Sequence, residues 1–219
     1  ILPFTIPKPE NVTLYTEHYK GENFYEKLHQ HKEIQISLVI AGEGTFVIGD
    51  CVGDFKQNDI FVLGENLPHV FKRDEAFEQE TEMVSLFFSK NSFGEDFFNL
   101  PEFTYFKKFF DNAVLGYEVQ SYKQEISLIL SKIKTLSKYY QFINFLEVLR
   151  LISEAEKRKL SSLINLKKYA GNEGKRMSDI FQYTMDNFHK EVTLHDVANI
   201  ANMTPNAFCR YFKQRTTKT

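Results

Sequence analysis

Ile34-Gln-Ile-Ser-Leu-Val-Ile40 decides the fold class of this chain. Its apolar residues alternate with Gln35 and Ser37 at the two-residue period of a strand, and it is enriched in β-branched side chains. Gly42-Glu-Gly44 follows, then Thr45-Phe-Val-Ile48, then Gly49-Asp50, which reads as strand, turn, strand, turn. The series continues through Val52-Gly53-Asp54-Phe55, a Gln57-Asn58-Asp59 turn, Ile60-Phe-Val-Leu63, the Gly64-Glu-Asn-Leu-Pro68 loop and Met83-Val-Ser-Leu-Phe-Phe88. Many short strands at close spacing predict a sandwich or barrel. Phe24, Phe46, Phe55, Phe61, Phe71, Phe77, Phe87 and Phe88, eight of the 22 phenylalanines, read as its core, with some left to line an aromatic pocket.

The texture changes near residue 117, so a barrel is expected over 1–117 and helices after it. Tyr122, Ile126, Ile129, Ile133, Leu136 and Tyr140 fall three and four apart, on one helical face. A second pattern runs from Phe142 through Phe145, Leu149 and Ile152 into Glu154-Ala-Glu-Lys-Arg-Lys159. Its apolar band is wider than one sheet needs, which marks Phe142, Phe145, Leu149 and Ile152 as candidate dimerisation residues within a helical connector over 118–166. Residues 167–176 read as a linker before a last unit over 177–219.

The chain has 219 residues, enough for a buried core, and ordinary globular proportions of 42% hydrophobic and 26% charged residues. Those values exclude a disordered or collagen-like chain. A net charge of -2 proposes neither nucleic acid nor an acidic membrane, so evidence for either has to be local. Cys51 and Cys209 match no disulfide framework or zinc spacing, which suits a reducing, cytoplasmic interior. No apolar run approaches the ~18 residues of a membrane span, so no membrane partner is expected. The first residue is Ile1 and not Met, which leads us to expect a longer natural chain.

The last unit carries the most specific pattern. Ile180, Tyr183, Thr184 and Phe188 give a first apolar face. Thr193 with Asp196 three residues on forms a variant capping box, and Leu194, Val197, Ala198 and Ala201 then point inward. Asn202-Met203 breaks the helix, and Thr204-Pro205 reads as an N-cap followed by proline at the first helical position. Phe208 and Phe212 are buried, with Asn206, Cys209, Arg210 and Lys213 on the other side. After Met203 the chain has Arg210, Lys213, Arg215 and Lys218 and no acid. Two short helices around such a break form a helix-turn-helix pattern, whose second helix enters a major groove.

The run Thr193 to Thr216, with Leu-x-x-Val-Ala, Met-Thr-Pro and Phe-x-Arg-x-Phe-Lys, resembles the first helix-turn-helix of the AraC family of bacterial transcription regulators. The resemblance implies a double-stranded promoter as partner, with Asn206, Cys209 and Arg210 toward base edges and Thr204 and Lys213 near phosphates. It also implies a connecting helix and a second helix-turn-helix beyond Thr219. Arg210 suits guanine chemically, since a guanidinium bonds it bidentately.

His29-Gln-His31, Gln35 and His69 form a second constellation. His29 and His31 share a strand face, and three converging imidazoles are a ligand set for a divalent transition metal. With Gly42, Gly44, Gly53, Asp59 and Pro68, the order resembles the two motifs of the cupin fold, except that Gln35 stands at the glutamate position and Glu33 is offset by two. Two readings stay open for His29, His31, Gln35 and His69: lining of an effector pocket without a metal, or a metal centre. His18, His189 and His195 read as surface residues.

The expected protein is therefore α+β: an N-terminal cupin-like barrel, a helical connector and a helix-turn-helix. Its expected role is a homodimeric, DNA-binding regulator that senses a small-molecule effector and is not an enzyme. The alternative is a metal-dependent cupin enzyme of dioxygenase or isomerase type with an appended helical domain.

Overall fold

The computed structural model describes residues 2–9, 12–74, 76–161, 176, 179–180, 183–184, 187 and 190–216. The linker expected over 167–176 lies almost wholly outside the described residues, as do Phe188, His189 and Lys218. Eleven strands are assigned among those described: β1 (Leu2–Pro3), β2 (Tyr15–Gly21), β3 (His29–Gln30), β4 (Ile34–Ala41), β5 (Gly44–Ile48), β6 (Cys51–Phe55), β7 (Ile60–Leu63), β8 (His69–Arg73), β9 (Thr81–Phe88), β10 (Tyr117–Val119) and β11 (Lys157–Lys159). They form two sheets, of order β1-β3-β8-β5-β6 and β11-β10-β7-β4-β9-β2, antiparallel except for the β1–β3 pair.

Period-two alternation sorts the side chains of these strands into layers. Phe46, Ile48, Phe55 and Phe71 of the five-stranded sheet meet Val39, Phe61, Leu63 and Met83 of the six-stranded sheet, and this cluster fills the barrel interior. The alternate residues Ile36, Leu38, Ile60, Val62, Val84, Leu86 and Phe88 face out, under the helices. At the β5–β6 corner the two-residue loop Gly49-Asp50 places its first position at φ 60°, where glycine has no Cβ penalty.

The helices are α1 (Lys107–Ala113), α2 (Lys123–Ile133), α3 (Lys138–Glu154), α4 (Leu194–Ile200) and α5 (Pro205–Thr216), and residues 97–106 add two short 3-10 turns. The continuous helix expected over 122–140 is broken: Tyr122 is left-handed (φ 57°) and exposed, and 134–137 separate α2 from α3. The buried face of α2 is Ile126, Leu130 and Ile133, while Ile129 is only partly buried. The run Lys157-Arg-Lys159, expected as the tail of a helix, is strand β11. Ala155 turns extended, and β11 pairs with β10 in the register Tyr117↔Lys159. Two strands of the larger sheet thus lie beyond residue 117, and α2 and α3 are an excursion between them.

Phe145, Leu149 and Ile152 are fully buried in the chain's own core, where Phe145 meets Phe88 edge-on at 4.6 Å. Phe142 packs on Phe93 at 5.1 Å. Phe145, Leu149 and Ile152 therefore present no surface to a second subunit, whereas Phe142 is only partly buried. The helix buries a wide band because the phenylalanine-rich segment 93–110 covers it on one side and the sheet on another. The exposed large apolar residues of α3 are Tyr139, Tyr140 and Ile143.

A cluster of four charges, buried at Asp59 and Glu118 and open to solvent at Arg158, pins α2 to the barrel. Lys123 Nζ donates to Asp59 Oδ1 (3.0 Å) and Glu118 Oε1 (3.2 Å), and Arg158 Nε donates to Glu118 Oε2 (2.9 Å). Burial alone would push the Glu118 carboxyl up, but Arg158 and Lys123 hold it below its ordinary value.

Among the C-terminal helices, Thr193 and Asp196 form the expected capping box, with Thr193 N donating to Asp196 Oδ2 at 2.9 Å. Asn202 takes φ 54° at the break, and Pro205 opens α5. Ala198, Ala201 and Phe208 are buried, but Leu194, expected to point inward, is exposed. Tyr211, which the sequence reading left aside, is also buried, three residues from Phe208.

Truncating Phe145 to alanine should cost about 3–5 kcal/mol in urea unfolding, whereas Ile143→Ala should stay within about 0.5 kcal/mol. Equal losses would contradict the burial of α3 described here.

Candidate ligand and metal site

His29, His31 and His69 are all buried, at 8%, 3% and 1% exposure. His29 and His69 lie opposite each other across the β3–β8 pair, with ring centroids 4.3 Å apart, and His31 closes the group at 5.0 Å from His69. One nitrogen from each ring lies within 4.8 Å of the others.

Local backbone bonds set the tautomers. Nδ1 of His29 sits 2.9 Å from Lys27 O, Nδ1 of His31 2.9 Å from Glu33 O, and Nδ1 of His69 2.8 Å from Leu67 O. A carbonyl oxygen only accepts, so each Nδ1 carries the proton, and in a neutral ring Nε2 is then a lone pair. Burial keeps the rings neutral. It pushes His29 down to about 4, and His69 well below the usual histidine value with help from its two imidazole neighbours. His31 is also lowered by burial, against the opposing influence of Gln35 and Glu33.

Gln35 Oε1 lies 2.9 Å from His31 Nε2, and Gln35 Nε2 lies 2.7 Å from Ser37 Oγ. Two acceptors facing each other is unfavourable. Exchanging the amide's nearly isosteric O and N lets Gln35 donate to His31 Nε2 and accept from Ser37, whose Oγ also meets Ser85 Oγ at 2.7 Å. His69 Nε2 has no hydrogen-bond partner among the described residues.

Three neutral imidazoles whose Nδ1–H groups are tied to carbonyls fit a divalent transition metal as nitrogen donors, and the orphaned His69 Nε2 is the clearest sign of that fit. Gln35 stands beside them with a neutral amide where a carboxylate would offset the ion's charge. Glu33 does not supply it. Its carboxylate pairs with Lys8 Nζ at 2.8 Å and lies on the Nδ1 side of His31.

A cavity of about 160 Å³ opens beside His29, His69 and Gln35. Its walls include Phe24, Phe71 and Phe87 from the barrel, and Phe4, whose ring packs on Tyr25 at 4.8 Å and on His29 at 5.0 Å. Sequence reading missed Glu17, Ser37 and Ser85. Across three adjacent strands of the larger sheet the register is Glu17↔Ser85↔Ser37, which makes one transverse polar row on the inner face. The available signal was a polar residue at the centre of an apolar strand, Ile36-Ser37-Leu38 and Val84-Ser85-Leu86, repeated in two strands.

The expected DNA-facing residues Thr204, Asn206, Cys209, Arg210 and Lys213 are all exposed. Asn206, Cys209, Arg210 and Lys213 follow the i, i+3, i+4, i+7 spacing of one face of α5, while Thr204 Oγ1 caps it by accepting from Ala207 N at 3.3 Å. His195 is exposed, and His18 is an exposed histidine 2.6 Å from Glu82.

The fold and site define a cupin-type barrel with a buried three-histidine group. Residues 11–86 match the family model of the AraC-like ligand binding domain. No curated protein matches the chain in sequence. Parts of solved structures resemble it. Oxalate decarboxylase from Bacillus subtilis at pH 4.6 is 23% identical over 38% of this chain and 22% of that one, with a TM-score of 0.31. A structure of the same enzyme, described for its Mn(II) centres, is 24% identical over 38% of this chain and 23% of that one, also with a TM-score of 0.31. The match thus spans under a quarter of the length of those enzymes.

The buried imidazoles make stability depend on pH. Unfolded histidines bind protons near pH 6.5, whereas folded His29 does so only near 4, so the unfolded state holds more protons between those values. Stability is therefore complete above pH 6.5 and falls as pH drops toward 4, by about 1.4 kcal/mol per pH unit for each such histidine. Urea unfolding at pH 7.5, 6 and 5 should show the fall, and His69→Gln should make it shallower. A profile as steep in the variant as in the parent would contradict a neutral buried His69.

Proposed function

We propose that this chain is a ligand-responsive transcription regulator: the barrel cavity takes a small-molecule effector and α4 and α5 form a helix-turn-helix that reads double-stranded promoter DNA. Asn206, Cys209 and Arg210 face base edges, and Thr204 and Lys213 lie near phosphates. The match of residues 11–86 to a ligand-binding domain supports the sensing half.

One observation carries the link between the halves. Leu28, Val47 and Val70 form a single buried cluster with Ile180, Ala198, Ala201, Phe208 and Tyr211. Leu28 and Val70 are the strand neighbours of His29 and His69, so the same two strands present imidazoles to the cavity and apolar side chains to the C-terminal helices. An effector that binds one arrangement of β3 and β8 better than another thereby biases where α5 sits, and about 1–3 kcal/mol of such coupling is typical. A homodimer fits this scheme, with Tyr139, Tyr140 and Ile143 as the exposed apolar residues of α3.

The three converging Nε2 atoms favour a second reading, a metal-dependent cupin enzyme. His29, His31 and His69 would hold the ion, which would supply Lewis acidity to a bound substrate; the chain's own part would be to orient that substrate against the phenylalanine wall and exclude water. Gln35 weighs against it, because among the described residues the group of possible ligands is the three histidines, with a neutral amide beside them and no carboxylate.

Fluorescence anisotropy with a random-sequence duplex separates these readings. The regulator reading expects affinity that falls with salt between 50 and 200 mM KCl, with the log–log slope about one unit shallower in Lys213→Ala. Absence of salt-dependent binding would overturn it. Elemental analysis of the purified protein adds the other arm: one iron, manganese or nickel per chain, lost in His69→Ala, is the outcome expected of the enzyme.

A further inference from the structure

Glu17 is the one formally charged residue among those that line the barrel cavity, and no Lys or Arg lines it. Its carboxylate has no hydrogen bond or ion pair among the described residues. Burial raises its affinity for a proton, and Lys134, which is not part of the wall, opposes this only at longer range. Glu17 lies on β2, opposite Ser85, at one end of the polar row that Ser37 continues. Among the other polar groups of the wall, which include the Gln35 amide and the Tyr19 and Tyr25 hydroxyls, the two histidines also accept. Nε2 of His29 is a lone pair, and Nε2 of His69 is a buried lone pair without a partner. The hydroxyls of Ser85 and Ser37 are engaged with each other.

Most of the remaining wall is aromatic or apolar, with Phe4, Phe24, Tyr25, Phe71, Phe87 and Met83. A cavity of about 160 Å³ is below the range of about 300–1,000 Å³ that holds drug-sized molecules, so its occupant is compact.

From these features we infer that the effector is a small organic ammonium, a primary amine on a short aromatic or apolar body. The inference rests on the sensing role proposed for the cavity and names what it senses. An ammonium brings three N–H donors and no acceptor, the complement of a wall with a carboxylate and two unshared imidazole lone pairs. Its positive charge is attracted by Glu17 and by the faces of the phenylalanine and tyrosine rings. A carboxylate ligand would be repelled by Glu17 and by the imidazole lone pairs. A neutral alcohol would satisfy one lone pair and leave the Glu17 charge without a partner in a half-buried site.

The test is a set of three ligands of nearly equal shape, 2-phenylethylamine, 2-phenylethanol and phenylacetate, titrated into the full chain after dialysis against EDTA and read by calorimetry and thermal shift. The amine should bind about tenfold or more tightly than the alcohol, and phenylacetate more weakly than either. Glu17→Gln should bring amine and alcohol within about twofold of each other while leaving the ligand-free melting temperature near that of the parent. If that variant fails to fold, Glu17→Asp takes its place and should weaken the amine selectively. An alcohol or carboxylate that binds as tightly as the amine overturns the ligand class but leaves the sensing cavity standing. Amine preference unchanged in the Glu17 variants overturns the assignment of that residue. If none of the three binds, nor alkylamines of two to six carbons, while Zn²⁺ alone raises the melting temperature, both the ligand class and the effector cavity fall in favour of a metal centre.

Discussion

The bonds from the three Nδ1–H groups to Lys27, Glu33 and Leu67 carbonyls fix what the interior of this barrel can be. Each is a short-range bond within two residues of its own histidine, so it forms as soon as the strand does. Each spends the proton of a neutral ring on the backbone, and the opposite nitrogen is left as a bare acceptor. Burial then prevents the rings from regaining a second proton at neutral pH. An acceptor-rich interior walled by phenylalanine is the result. Whatever occupies it has to bring positive charge or hydrogen-bond donors, and both a divalent metal and an organic cation meet that demand.

Strand parity carries this chemistry outward. His29 and His69 face each other inside, and the residues next to them, Leu28 and Val70, join the apolar cluster of the C-terminal helices. No long chain of contacts has to be invoked, since two strands one residue thick separate cavity from helices. Interiors packed at crystal-like density pass small displacements on rather than absorb them.

Strands β4, β5, β7 and β9 were legible in the sequence because each is apolar and bounded by Gly, Asn, Asp or Pro, and the Thr193–Asp196 cap because its chemistry is local. β2 was not legible. Tyr15-Thr-Glu-His-Tyr-Lys-Gly21 is an edge strand with one wet face, and its alternation runs aromatic against polar, so the Glu17 position went unread. β11 was misread as helix because Lys157-Arg-Lys159 has no strand propensity of its own. Its conformation is imposed by pairing with β10 and by the Arg158 ion pair to Glu118, a partner 40 positions away. The wide apolar band of α3 was seen correctly and explained wrongly, since periodicity reports how much of a helix is covered but not by which chain. The three histidines were grouped from the spacing of His29 and His31 and from the motif resemblance that adds His69, yet their donor and acceptor roles depend on carbonyl positions that neither contains.

The helical hairpin of α2 and α3 leaves the larger sheet after β10 and returns to it as β11, and the chain then passes to Leu160, which is buried in the barrel interior cluster. Seen as a path, the barrel is sewn shut by residues that come after the helices. A knife placed at residue 117 would therefore leave the barrel without two strands and a core residue, whereas excising 122–155 and joining the two ends of the β10–β11 pair would remove the hairpin and keep the last stitch. Descent with insertion or loss at that junction could lengthen, shorten or replace the hairpin while the cavity stayed as it is.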